Sequence, residues 1–265
     1  MMMELATIGL MDDADIDLID AGIALSLADR PHADASRLRR LMSGWAISLQ
    51  RDAGTATAQA RALRLAGLIA GEAGFTGNTH DYENPLNADL VAVADRGTGL
   101  PISLSILYVA LARRVGWRAE ALALPGHVLV EVHGGSTTAL IDPFDHGATI
   151  APARAAEIAR AAGGPVAGRF AAMSNRQMLV RLVSNQASRA RLADQILRAL
   201  TLHERMTMIA PRFTALWWER AGLEQRIGRM AAARASLAAM LETTHDPALI
   251  HRIQTTLAAL ARSDN

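Results

Sequence analysis

One segment limits the folds open to this chain more than any other: Leu100-Pro101 followed by ISLSILYVALARRVG, residues 102–116. Proline suits the first helical position, where its missing N–H would have no partner anyway. Arg113 and Arg114 suit the negative end of the helix dipole, and Gly116 lies just past the last turn. The spacing therefore predicts a helix over Pro101–Val115. Its apolar run from Ile102 to Ala112 is too short to span a bilayer. A helix of this character must be covered on all sides, so it belongs at the centre of a core.

The segment after this helix has a different period. His127-Val128-Leu129-Val130-Glu131-Val132 alternates, with the three valines on one face and His127, Leu129 and Glu131 on the other. Gly134-Gly135 is a turn signal, and Thr137–Asp142 reads as the returning strand, ended by Pro143. Arg118–Leu124 is a candidate third strand. A two-residue turn at Gly134-Gly135 places His127 directly opposite Asp142, on the face without valines.

The flanks read as helices. Asp15–Leu27 spaces Ile16, Ile19, Ile23 and Leu27 as an amphipathic stripe. A second helix runs to Leu49 with Asp34 or Ser36 as its cap, and a third spans Thr57–Glu72 and stops at Gly74. The stretch 77–85, GNTHDYENP, reads as an ordered loop. Beyond Pro152 no strand pattern returns, and Gly163-Gly164-Pro165 marks a domain junction. The region from Trp217-Trp218 to Pro247 is open to two readings, a tetratricopeptide-like helix pair or an ordinary bundle.

Composition removes whole classes of chemistry. No residue is cysteine, which excludes thiol catalysis, disulfides, iron–sulfur clusters and thiolate zinc sites. All 27 basic residues are arginine, so a Walker-type phosphate loop and a lysine Schiff base are excluded too. Net charge is +1, with no basic block, and nucleic acid is not an expected partner. The first residues, MMMELATIGLMDDADID, lack a basic n-region. A soluble, cytoplasmic protein without membrane attachment and without a cofactor is expected.

Three constellations remain as candidates. An Asp142 carboxylate beside His127 is either the base-and-orienter half of a catalytic triad or a pair of polar groups satisfying each other. Ser103 and Ser105 stand in the first turn of the apolar helix, as helix-start residues or, for Ser103, as a nucleophile awaiting a base. His127, Asp142, Asp145 and His146, with His80 from the loop, would offer metal ligands if they converged.

In their order along the chain, GFTGNTHDYENPLNADL, GTGLPISLSILYVALARRVGW, LPGHVLVEV and LIDPFDHG resemble the SirB1 family. The likeness extends from about Asp15 to Leu260 and includes NRQMLVRLVSN at residues 175–185. It implies an α+β fold: a transglutaminase-like (papain-like) domain with N-terminal helices and a small antiparallel sheet over 1–164, then an all-α tetratricopeptide-like region over 165–265. In active relatives of that domain a cysteine opens the central helix, and a His and an Asp lie on the following strands. His127 and Asp142 match the latter two. Counting back from Gly116 places the cysteine's position at Pro101, with Ser103 the nearest nucleophile. Asn78, Tyr82 and Pro101 are implied to line the cleft. The resemblance also implies a regulatory role in bacteria. With the thiol gone, the expectation is a pseudoenzyme that binds a peptide or protein. A serine acyl hydrolase or transferase using Ser103, His127 and Asp142, and a metal-dependent hydrolase, are the alternatives.

Overall fold

Pro101 and the residues after it fold as the composition requires. In the computed structural model, which describes residues 4–50, 57–163 and 170–263, residues 101–112 of helix Pro101–Arg114 are buried without exception. Each large aliphatic side chain so covered contributes about 1.5–3 kcal/mol of transfer free energy, enough to offset the roughly 1–2 kcal/mol of backbone ordering per residue.

The described elements run in the order α1 (Leu5–Leu10), α2 (Leu18–Asp29), α3 (Ser36–Gln50), α4 (Ala58–Ala66), β1 (Thr76–Gly77), α5 (Leu90–Arg96), β2 (Thr98–Gly99), α6 (Pro101–Arg114), β3 (Ala119–Leu124), β4 (His127–Gly134), β5 (Thr137–Asp142), β6 (Ala148–Ile150), α7 (Pro152–Ala161), α8 (Asn175–Leu192), α9 (Ile196–Ile209), α10 (Thr214–Arg226), α11 (Met230–Thr243) and α12 (Pro247–Ser263). This is an α+β chain with a helical C-terminal region. None of the helices among the described residues is long and apolar enough to cross a membrane.

Packing divides the described residues into two units, one within 12–182 and the other 4–11 with 183–263. The expected junction at Gly163-Gly164-Pro165 lies partly outside the described residues. The packing division falls later, inside α8, because residues 170–182 are tied to the sheet and to α6. Ala123 N–H donates to the Ala171 carbonyl at 3.0 Å and Met173 N–H to that of Ala121 at 2.8 Å. The Arg113 guanidinium donates to Asn175 Oδ1 at 2.6 Å.

In the first unit, β3-β4-β5-β6 form an antiparallel sheet in that order. Val128, Val130 and Val132 are buried on one face. On the other, Leu122, Leu124, Leu129 and Leu140 pack against Ala155 and Ala159 of α7. The hairpin expected from sequence forms, with one correction to its register. Gly134 pairs with Thr137, so the turn is Gly135-Ser136. Gly135 takes the left-handed φ of 59° that such a turn needs. Gly134 lies in the strand with the start of α4 against it; a Cβ there would stand 2.3 Å from the Ala58 nitrogen.

The long helix predicted from Thr57 is interrupted in a specific way. Thr57 caps α4 by accepting from Ala60 N–H, and beyond Ala66 the chain widens into a π-helical stretch, Gly67–Glu72, before Gly74 ends it at φ 71°. The first predicted helix begins later, at Leu18, where Asp17 accepts the Ile19 and Asp20 amides. It is not a one-sided stripe: Leu18, Ile19 and all of 21–26 are buried. It is enclosed by α5 and α6, and Gly22 lets Leu90 of α5 come close.

In the second unit, Ala221, Ala233, Leu237, Met240, Ile253 and Leu260 join α10, α11 and α12 in one cluster against which Trp217 and Trp218 pack. Glu224 is 1% exposed, yet its charge is compensated: Arg220 donates to it at 2.9 Å and the Ser236 hydroxyl at 2.7 Å.

Candidate functional site

The cleft at the start of β4 is built from four segments of the first unit. A Pro125-Gly126 turn, with Gly126 at φ 68°, joins β3 to β4 and delivers His127 at the strand's first position. Asp142 closes β5. Continuing the observed register past the Val130–Ile141 pair puts Leu129, not His127, directly across from Asp142. The displacement is two residues, so His127 and Asp142 keep the same face and meet on the diagonal. His127 Nε2 lies 2.8 Å from Asp142 Oδ2.

The carboxylate is held from behind. Asp142 Oδ1 accepts the backbone N–H of Phe144 at 3.0 Å and of Asp145 at 3.2 Å, and the side chain is largely buried. Such a carboxylate is fixed in orientation and, being only an acceptor, favours a ring that carries its hydrogen on Nε2. Its field reaches α6: burial, and next the Asp142 charge, push the Tyr108 phenol well above its ordinary value.

Two residues that sequence reasoning passed over frame the histidine. Phe144 lies edge-on between the rings of His127 and Tyr82, at centroid distances of 6.1 and 5.9 Å. Gly77 lets that ring in; a Cβ there would stand 2.5 Å from it. Arg181 of α8 donates to the carbonyls of Leu124 and His127, at 3.1 and 3.0 Å, and so pins both sides of the Pro125-Gly126 turn. Burial lowers the Arg181 guanidinium from its ordinary value, while the nearby Tyr82 pulls the other way. Beside His127 an open cavity of about 400 Å³ extends to Arg154, Glu157 and Ile158 of α7.

The remaining candidates are placed differently. Ser103 is fully buried, and its hydroxyl points to the carbonyls of Asn87 (2.8 Å) and Leu100 (3.0 Å). It makes no hydrogen bond with His127. Pro101 is buried as well, so the first turn of α6 presents no side chain to solvent. Asn78 is 8% exposed; its amide donates to Asn87 Oδ1 and its carbonyl oxygen accepts Asp81 N–H, both at 3.0 Å. Asn87 in turn donates to the carbonyls of Asp81 and Tyr82. Asn78, Asn87 and Ser103 therefore fasten the 77–88 loop to the head of α6, and Tyr82 is the residue of that loop that reaches the aromatic row. The metal-ligand set considered around His127 does not assemble among the described residues. His80, Asp145 and His146 are exposed, and His146 is held at φ 48° in the tight turn after Pro143. Three metal-ligating side chains do converge elsewhere, at Glu120, Glu131 and His133.

A family model described as the transglutaminase-like superfamily matches residues 35–184. This chain belongs to the transglutaminase-like superfamily. Two proteins named "UPF0162 protein" from Xylella fastidiosa are similar along most of their length. That of strain Temecula1 is 26% identical over 211 residues, covering 76% of this chain and 74% of its own. That of strain 9a5c is 24% identical over 249 residues, covering 89% and 88%. "F-box only protein 21" of Homo sapiens is 42% identical over 72 residues, 27% of this chain but only 12% of that protein. No solved structure matches. The transglutaminase-like match spans α3 to α8 and contains every residue of the His127 cleft.

Proposed function

We propose that this transglutaminase-like protein, as a SirB1-type cytoplasmic member, binds a peptide or protein partner in bacterial regulation and performs no acyl transfer. The observation that carries this reading is the head of α6. The chain has no cysteine, and the place the family resemblance assigns to it is taken by a buried proline, with Ser103 turned toward two carbonyls. His127 and Asp142 retain a base-and-orienter geometry, but no nucleophile stands against it among the described residues. A serine alcohol needs an aligned base to react, so a Ser103 enzyme gains no support from this arrangement. A metal-dependent hydrolase at His127 lacks its third ligand among the described residues.

Binding chemistry is what the cleft retains. Its wall offers Phe144 and Tyr82 as flat apolar faces, with the His127 ring at one end. The cavity beside it carries Arg154 and Glu157, which pair at 2.9 Å and are both exposed enough to exchange that contact for a partner's charges. An extended peptide with an aromatic or aliphatic side chain fits such a surface.

The test has two arms. A fluorophosphonate probe should leave the purified protein unlabelled; labelling that disappears in Ser103→Ala would overturn the non-catalytic reading. A peptide array should then yield ligands whose affinity falls about tenfold or more in Tyr82→Ala and Phe144→Ala. Ligands indifferent to both substitutions would remove the cleft from the proposal.

A further inference from the structure

At the far end of β4 from His127, three side chains of metal-ligating types converge from two strands. Glu120 of β3 and Glu131 of β4 are direct cross-strand partners. Like charges in that position repel, and a cation held between them would relieve that repulsion. His133, one position further along the same face, supplies its Nε2 3.5 Å from Glu120 Oε2 and 3.3 Å from Glu131 Oε2. Yet that nitrogen is shut off from solvent and has no hydrogen-bond partner. A buried ring nitrogen facing two carboxylate oxygens at more than hydrogen-bonding optimum is a costly arrangement if left as it stands.

The distances fit a different partner. Zinc-class ions bind imidazole nitrogen and carboxylate oxygen at about 2.0–2.2 Å, and tetrahedral angles then separate the donor atoms by roughly 3.3 Å. We propose that Glu120, Glu131 and His133 form a binding site for a divalent transition-metal ion of the zinc class, with three protein ligands and one open position.

The neighbourhood suits that charge. Arg118 donates through Nε and an Nη to Glu120 Oε1 alone, at 3.3 and 2.9 Å, which leaves Oε2 turned to the site and fixes the carboxylate's orientation. Arg61 donates to the backbone carbonyl of His133 at 2.7 Å. Glu131 also borders a cavity of about 500 Å³ with Leu122, Leu140, Ile150 and Phe170 around it and Gln59 and Thr149 at its polar edge. That size suits a small organic ligand. A carboxylate or similar oxygen donor on an apolar body is the ligand class that would fill both the open position and the cavity. The site is separate from the His127 cleft and does not depend on the function proposed for it.

The experiment uses the full chain, stripped with a chelator and dialysed to pH 7.5. Titration with zinc should show one saturable equivalent by calorimetry, and cobalt(II) in its place should give the intense visible absorption of a four-coordinate ion. His133→Ala and Glu131→Gln should each weaken binding roughly 100-fold. His251→Ala, an exposed histidine of α12, should not change it. Circular dichroism reports whether each variant folds, and Glu120→Gln, at a partly exposed position, serves if the Glu131 variant does not. Absence of saturable binding would overturn the proposal. So would binding that survives in both His133→Ala and Glu120→Gln, or a weak six-coordinate cobalt spectrum.

Discussion

The two ends of β4 place a histidine on the same face of the same strand and use it in opposite ways. At the first, His127 has a single carboxylate at 2.8 Å, and that carboxylate is itself anchored by two backbone amides. At the other, His133 faces two carboxylates at 3.3 and 3.5 Å and hydrogen-bonds to neither. One well-fixed acceptor orients a ring; two loosely spaced acceptors leave room for something between. The difference arises from neighbours rather than from the histidines. Asp142 sits where the strand ends and the backbone turns its amides inward, whereas Glu120 and Glu131 are cross-strand partners within the β3–β4 ladder.

The largest test of that contrast is Asp142→Ala. It strands two backbone amides and the His127 ring at once, and should cost roughly 3 kcal/mol in urea unfolding. Glu131→Ala in metal-free protein should cost clearly less, and equal losses would erase the distinction between the two ends. Next in size is the turn that sets the register. Gly134→Ala forces a Cβ against the start of α4 and should cost about 2 kcal/mol, more than Gly135→Ala, where only the left-handed backbone is penalised by roughly 1 kcal/mol. The reverse order, read from thermal midpoints, would contradict the observed turn at Gly135-Ser136.

A smaller effect separates the histidines themselves. Without metal at pH 8, His127→Gln should lose about 1 kcal/mol with its hydrogen bond, while His133→Gln should stay within roughly 0.5 kcal/mol of the parent. The smallest concerns acid. Burial pushes the Glu120 carboxyl up, but the Arg118 hydrogen bond and charge, with His133 beside it, outweigh that and hold it below its ordinary 4.5. Its folded value being depressed, the stability it adds is present above 4.5 and is lost as the pH falls through the folded value. Glu120→Gln should therefore lose less stability than the parent between pH 4.5 and the acid limit, measured by denaturant titration at each pH.

Much of the first unit was legible. Proline, apolar run, paired arginines and glycine specified α6 because each is a local rule acting within one helix. Alternation specified β4, and it assigned His127 and Asp142 to one face even though the register was misplaced by two, since a shift of two preserves the side on which a residue points. The same alternation puts Glu131 and His133 on that face, and the Pro125-Gly126 turn carries the signal that would have aligned Glu120 with them. Phe144 and Arg181 had no such signal. Their roles depend on a loop packing through Gly77 and on a helix returning from far along the chain.

The sequence by itself determined the absence of thiol chemistry, the central helix, the hairpin and the face that bears its polar residues, because these follow from composition and from periods of two and three to four residues. Tertiary structure alone decided the rest. The approach of α4 decided that position 134 has no room for a Cβ, and the Asn87 carbonyl that accepts the Ser103 hydroxyl's hydrogen bond decided that this serine meets no base. The spacing of His133 from two glutamates was likewise set by strand register. Each is a competition between partners distant in sequence, settled only when packing fixes which of them is nearer.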